Sequence, residues 1–162
     1  GRVVVLHELI HTEPEPPAAP DLSIDLLVRA ARWKCDFPDN VFFLQSNHEL
    51  SQLLEHEITK GGRYVLADFE RGLEVRYGSS AGDVLVAVKD YIAALPLAAR
   101  LANGIFLSHS LADALALGLE IVRECERVRL GGLHVGQGLP ERHQPCVNGL
   151  TDRFQLGGEP SH

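Results

Sequence analysis

Apolar and polar positions along this chain follow two rhythms, a short strand-like one and a longer helical one. Val3-Val4-Val5-Leu6 is a β-branched run suited to a strand buried on both faces. Residues 12–20 hold four prolines in nine positions and predict an extended loop. Proline removes a backbone donor and drives its neighbour away from helical angles. Over residues 21–35 the apolar positions Ile24, Leu27, Val28, Ala31 and Cys35 recur at the spacing of one buried helix face. Pro38-Asp39-Asn40 breaks that helix, and Val41-Phe42-Phe43-Leu44 predicts a second strand. The polar cluster Gln45-Ser46-Asn47-His48-Glu49 then opens a helix predicted to run to about Lys60, where Gly61-Gly62 stops it.

Ser80 with Asp83 predicts the cap of a helix through Ile92, with Ala81, Val84, Leu85, Val88 and Ile92 facing inward. Pro96 ends it. Asn103-Gly104, between apolar runs at residues 97–101 and 105–107, predicts a hairpin or a strand entry. Ser110 and Asp113 open a further helix to about Val128, and the Gly-, Pro- and His-rich tail from Gly131 predicts loop with one strand at residues 153–156. Strand, polar loop and helix thus repeat along the chain. Without an internal repeat or a linker, that pattern predicts a single α/β domain over residues 1–162.

Composition narrows the class. With 162 residues, 45% hydrophobic and 23% charged, the chain has the make-up of a folded domain rather than a disordered tail, a collagen or a coiled-coil rod. A net charge of −7 argues against partners gripped by bulk positive charge, hence against nucleic acid and anionic membrane surfaces. Cys35, Cys125 and Cys146 are odd in number and form no Cys-x-x-Cys pair, which argues against a disulfide framework and points to a reducing, cytoplasmic compartment. No apolar run approaches the roughly 18 residues of a membrane span, and the start does not read as a signal peptide. The chain carries 8 His and no Met, and its start at Gly1-Arg2 reads as a processed or incomplete piece.

Three polar clusters sit at the ends of apolar runs: His7-Glu8, Asn47-His48-Glu49 and His109. Sites in α/β folds gather beyond the carboxyl ends of strands, where side chains converge without burying charge in the sheet. Imidazole, carboxylate and amide oxygen together suit Mn²⁺, Fe or Zn²⁺. One histidine at a strand end is more often a surface or structural residue than a ligand; several at equivalent positions make a candidate site.

These segments also carry a resemblance. Residues 39–50, Asp-Asn-Val-Phe-Phe-Leu-Gln-Ser-Asn-His-Glu-Leu, resemble the "NV-apolar-apolar-L…GNHE" segment of calcineurin-like metallophosphoesterases, in particular the bacterial serine/threonine protein phosphatase-like branch. Residues 104–111, Gly-Ile-Phe-Leu-Ser-His-Ser-Leu, resemble the later "GIF-apolar-SH" strand of that family, and residues 142–149 its final "GH-x-P…NG" turn. Residues 3–11 stand where the family carries "VVVLGDLIH", and all four segments occur in the family's order.

The resemblance implies a calcineurin-like phosphoesterase sandwich, mixed β-sheets flanked by helices, and metal-dependent hydrolysis of phosphate monoesters. Phosphorylated proteins or small molecules would be the substrates, with protein phosphoserine and phosphothreonine the branch's own. In the family two divalent ions roughly 3.5–4 Å apart activate a hydroxide for in-line attack on phosphorus. By the same resemblance Asn47, His109 and His143 would bind one metal, Glu8 would occupy the bridging position, and His48 would be the general acid, held protonated by a partner carboxylate.

The departures are specific. Glu8 stands for an aspartate, and His7, Ser46 and Arg142 stand for glycines. Gln45 stands for an arginine that would clamp phosphate. The family's leading Asp-x-His motif has no counterpart, so the domain reads as N-terminally incomplete or as using His7 or His11 instead, with one metal site nearly furnished and the other short of ligands. Two alternatives follow: a catalytically impaired phosphoesterase-like binding module, and a zinc metallopeptidase through His7-Glu8-Leu9-Ile10-His11. The second needs a helix of several turns, and Pro14 follows three residues after the motif. Trp33, Phe42 and Phe43 are expected in the core.

Overall fold

The structure is a computed structural model that describes residues 2–16, 18–101 and 103–109, together with the backbone of residues 129–130 and 133–136. The predicted helix at 110–128, the strand at 153–156, and Arg142, His143, Cys125 and Cys146 lie outside the described residues.

The chain is mixed α/β, with small sheets and helices. Strand β1 (Val4–Leu6) pairs in parallel with β2 (Val41–Phe43), register Val4 to Val41 through Leu6 to Phe43, and helix α1 (Ser23–Asp36) connects them. Beyond the strands, the Leu44 amide donates to the Leu6 carbonyl at 2.9 Å. Strand alternation divides two apolar layers. Val41 and Phe43 join the main core with Ile24, Leu27 and Ala31 of α1, while Phe42 and Leu44 face the opposite way, against Ala99. β2 is therefore buried on both faces. β1 is only half-buried, contrary to the expectation from its β-branched run, because among the described residues it pairs on one side alone.

Helix α2 (Asn47–Leu54) starts as the polar cluster predicts but stops early, at Glu55 in the left-handed region (φ 55°), rather than near Lys60. Gly61-Gly62 is the turn of a small hairpin, β3 (Thr59–Lys60) with β4 (Arg63–Tyr64), and not a helix stop. Both glycines have positive φ, 58° and 78°, as tight hairpin turns require. Helix α3 (Val65–Tyr77) follows, an element the sequence reading left out. Its buried positions Val65, Leu66, Phe69, Gly72 and Leu73 have helical spacing, so the signal was present.

A short 3₁₀ turn (Gly78–Ser80) leads into α4 (Ala81–Ala93). Val84, Val88 and Ile92 are buried as predicted, with Ala81 and Leu85 packed at the rim of the core. Ser80 makes no side-chain cap, so the helix start owes nothing to the predicted Ser–Asp cap.

The turn at Asn103-Gly104 is a hairpin. β5 (Ala98–Leu101) pairs antiparallel with β6 (Phe106–Ser108), and Gly104 has φ 89°. β5 also pairs with β8 (Leu133–Gly136), which pairs with β7 (Arg129–Leu130), in the order β6-β5-β8-β7. Part of the tail predicted as loop is therefore strand. Phe42 and Phe43 are buried, but Trp33 is 40% exposed and lies outside the core, on an outer face of α1 that also shows Leu22, Leu26 and Phe37. Among the described residues no helix is long and apolar enough to cross a membrane.

Candidate metal centre

The site assembles where β1, β2 and β6 end. β1 delivers His7 and Glu8, β2 leads through Ser46 into Asn47 and His48 at the start of α2, and β6 delivers His109. Asn47 and His109 meet directly: the ring Nε2 lies 2.8 Å from Oδ1. His109 Nδ1 lies 2.9 Å from His7 Nδ1, across 102 positions of sequence. His48 Nε2 lies 3.4 Å from Glu8 Oε1, and Lys60 Nζ is 3.9 Å from the same oxygen. His143 lies outside the described residues.

The cluster is of a kind that could hold a metal ion. His7, Glu8 and His109 each offer one ligand atom within 4.8 Å of the others. Asn47 Oδ1, 2.8 Å from His109 Nε2, is hydrogen-bonded to the same cluster. His7, Glu8 and Asn47 are exposed and His109 half-exposed, so the cluster opens outward. Beside it runs a groove lined by Val5, Leu44, Phe106 and Leu107.

Ser46 stands at a position where the family pattern carries glycine, yet its backbone is extended (φ −107°) and needs no glycine. Its Oγ accepts from the amides of His48 and Glu49 and donates to the Glu49 carboxylate, a Ser-x-x-Glu capping box. Glu49 also accepts from the Leu9 amide at 2.7 Å, tying the start of α2 to the loop after β1. The left-handed backbone falls instead on Glu8 (φ 55°) and His11 (φ 63°), two non-glycine residues whose strain is of order 1 kcal/mol each.

His7 and His11 do not form a helical His-Glu-x-x-His pair. Their segment is not helical, and the two rings point to different partners, so the metallopeptidase geometry is not met. Nor is His11 available as a substitute ligand. It is 1% exposed, with its ring turned into the core, Nδ1 3.0 Å from His48 Nδ1 and Nε2 2.9 Å from Gln52 Oε1, away from the open cluster. Glu49 belongs to the polar cluster that the sequence marks, whereas Gln52 was missed as a neighbour of the site. Glu49 was legible in the Ser-x-x-Glu spacing, and Gln52 sits one helical turn from His48.

Electrostatics revise one expectation. Burial pushes the His48 imidazole below its ordinary pKa; Glu8 opposes this, and Lys60 and His109 add to it. The partner carboxylate thus does not by itself keep His48 protonated at neutral pH. Burial lowers His11 as well, with His48 adding to the effect against the Gln52 hydrogen bond, and it raises Glu49 against the Leu9 amide.

No protein family matches the chain, and no curated protein or solved structure is similar to it.

Proposed function

We propose that the chain is a metal-dependent phosphoesterase hydrolysing phosphate monoesters, protein phosphoserine and phosphothreonine among them, on the plan of the calcineurin-like sandwich. One observation carries this reading. Glu8, Asn47, His48 and His109, assigned to the site from separate sequence segments, converge within hydrogen-bonding and ion-pair distances at three strand ends. His7, Glu8, Asn47 and His109 would hold a divalent ion such as Mn²⁺, Fe or Zn²⁺. When bound, that ion neutralises phosphoryl oxygens and acidifies a water. His48 Nε2 lies beside the cluster, 3.4 Å from Glu8 Oε1. A phosphoryl dianion beside it raises its proton affinity, so it takes up a proton as substrate binds and passes it to the leaving alkoxide.

A second reading, a phosphoesterase-like binding module with impaired catalysis, is favoured by Gln45. Its side chain donates to the Ile92 carbonyl at 3.1 Å and aims no cation at a bound phosphate.

The test is turnover of an aryl phosphate by the Mn²⁺-loaded chain, with metal content measured alongside. The hydrolase reading expects bound metal and turnover, a fall of about 10²-fold or more in His48→Ala, and weakened metal binding in His109→Ala. Metal binding without turnover supports the module. Hydrolysis that survives both substitutions sinks the site assignment.

A further inference from the structure

Behind His48 lies a buried chain of polar side chains that the proposed reaction does not itself use. His48 Nδ1 meets His11 Nδ1 at 3.0 Å, His11 Nε2 meets Gln52 Oε1 at 2.9 Å, and Gln52 Nε2 donates to Glu70 Oε1 at 3.2 Å. His11, His48 and Gln52 are all buried, at 1%, 7% and 0% exposure. Such groups must be paired in one consistent direction.

That direction follows from the donor inventory. The Glu70 carboxylate only accepts, so the Gln52 amide nitrogen must face it and the amide oxygen must face His11. An amide oxygen only accepts, so His11 carries its proton on Nε2. Burial holds His11 neutral, which leaves its Nδ1 as an acceptor. The contact at 3.0 Å then requires His48 to carry a proton on Nδ1. We propose that His11, oriented by Gln52 and Glu70, is a positioning residue that locks His48 as the Nδ1–H tautomer, so that Nε2, 3.4 Å from Glu8 Oε1, is the nitrogen that takes up the second proton and only then pairs with that carboxylate.

Two further observations agree with this assignment. His11 keeps a left-handed backbone (φ 63°) although it is not glycine, and its ring and amide are both pinned, the ring edge-on to Phe69 and the amide donating to Ser23 Oγ at 3.1 Å. The surroundings thus set the ring's orientation. The consequence for proton transfer rests on the hydrolase reading; the tautomer itself does not.

Nitrogen-15 NMR of the metal-free protein, at a pH where the imidazoles are neutral, reads the tautomer directly. The expected spectrum shows His48 Nδ1 as the protonated nitrogen and Nε2 as the bare one. Gln52→Leu frees His11 to reverse, and His48 shifts to a mixture or to Nε2–H. His11→Asn keeps an oxygen acceptor near the Nδ1 position and retains the wild-type signature, whereas His11→Phe loses it. In the loaded enzyme Gln52→Leu lowers kcat by about tenfold or more with KM little changed, a part of the 10²–10⁴ that a placed acid–base group contributes in full.

An Nε2–H tautomer in the wild type overturns the proposal, as does a signature untouched by Gln52→Leu. The Nδ1–H tautomer in a chain without turnover supports the lock and overturns the hydrolase reading alone. Turnover with the Nε2–H tautomer overturns the lock alone.

Discussion

Replacing Gly72 with alanine is predicted to destabilise the protein and disturb the buried face of the site some distance away. Gly72 lies in the interior of α3, where the helix passes the backbone just before α1. A Cβ built there falls 1.7 Å from the Asp21 carbonyl oxygen and 2.8 Å from its carbonyl carbon. An ordinary contact is about 3.5 Å, so the two backbones must part by well over an ångström. Asp21 cannot yield cheaply: its carboxylate accepts from the Ser23 amide at 2.9 Å and from the Thr12 hydroxyl at 2.7 Å. Ser23 in turn accepts from the His11 amide at 3.1 Å, so the displacement reaches the buried histidine pair.

Overpacking costs about 1–3 kcal/mol, and backbone on both sides puts this case at or above the upper end. The gain from replacing a helical glycine returns up to about 1 kcal/mol. The net expectation is a loss of about 2 kcal/mol or more, a drop of roughly 4–8 °C or more in Tm for a chain of this size. Urea unfolding followed by circular dichroism measures it. Gly82→Ala is the control, since Gly82 is also helical but nothing lies within 4 Å of its added Cβ. It should be neutral or stabilising by up to about 0.5–1 kcal/mol. If both variants unfold at the same urea concentration, the close approach of α3 to Asp21 is wrong.

Two other outcomes are expected. Glu49→Ala strips the acceptor from the buried Leu9 amide and should cost about 2–3 kcal/mol; Glu49→Gln keeps an acceptor oxygen and relieves a buried charge, so urea titrations should show less than half that loss, and equal losses would refute the tether. For His11, the folded pKa lies below the unfolded value of 6.5, so its neutral burial stabilises the fold above that pH. As pH falls below 6.5 the unfolded chain takes up a proton that the folded chain refuses, and stability drops by at most about 1.4 kcal/mol per pH unit for this group. Urea midpoints from pH 7.5 down to pH 5 should therefore fall more steeply for wild type than for His11→Asn; parallel slopes would remove His11 from the acid sensitivity.

Local pattern carried a good part of the fold. The spacing of Ile24, Leu27, Val28 and Ala31, and of Val84, Val88 and Ile92, marked two helices because a buried helix face must repeat every three to four residues. Asn103-Gly104 marked a hairpin because few residues tolerate a tight turn's backbone. α3 was equally legible in Leu66, Phe69 and Leu73, but the helix wrongly extended to Lys60 and the glycine pair misread as its stop hid the hairpin before it. Trp33 shows the limit of composition: an aromatic ring suggests a core, yet its place on the helix turned it outward.

By itself the sequence determined α1, α4, β2 and the β5–β6 hairpin, and that polar side chains cluster where strands end. Those facts follow from local periodicity and chain order. Only the tertiary structure decided that β1 lies beside β2 in parallel and that His7 and His109 come within 2.9 Å across 102 positions. It alone also split the two histidines of the His-Glu-x-x-His string, sending His7 to the open cluster and His11 into the core behind His48. Neither outcome is encoded in spacing. Sheet pairing and burial are set by how distant apolar faces pack, and a histidine's protonated nitrogen is set by the neighbour that packing supplies.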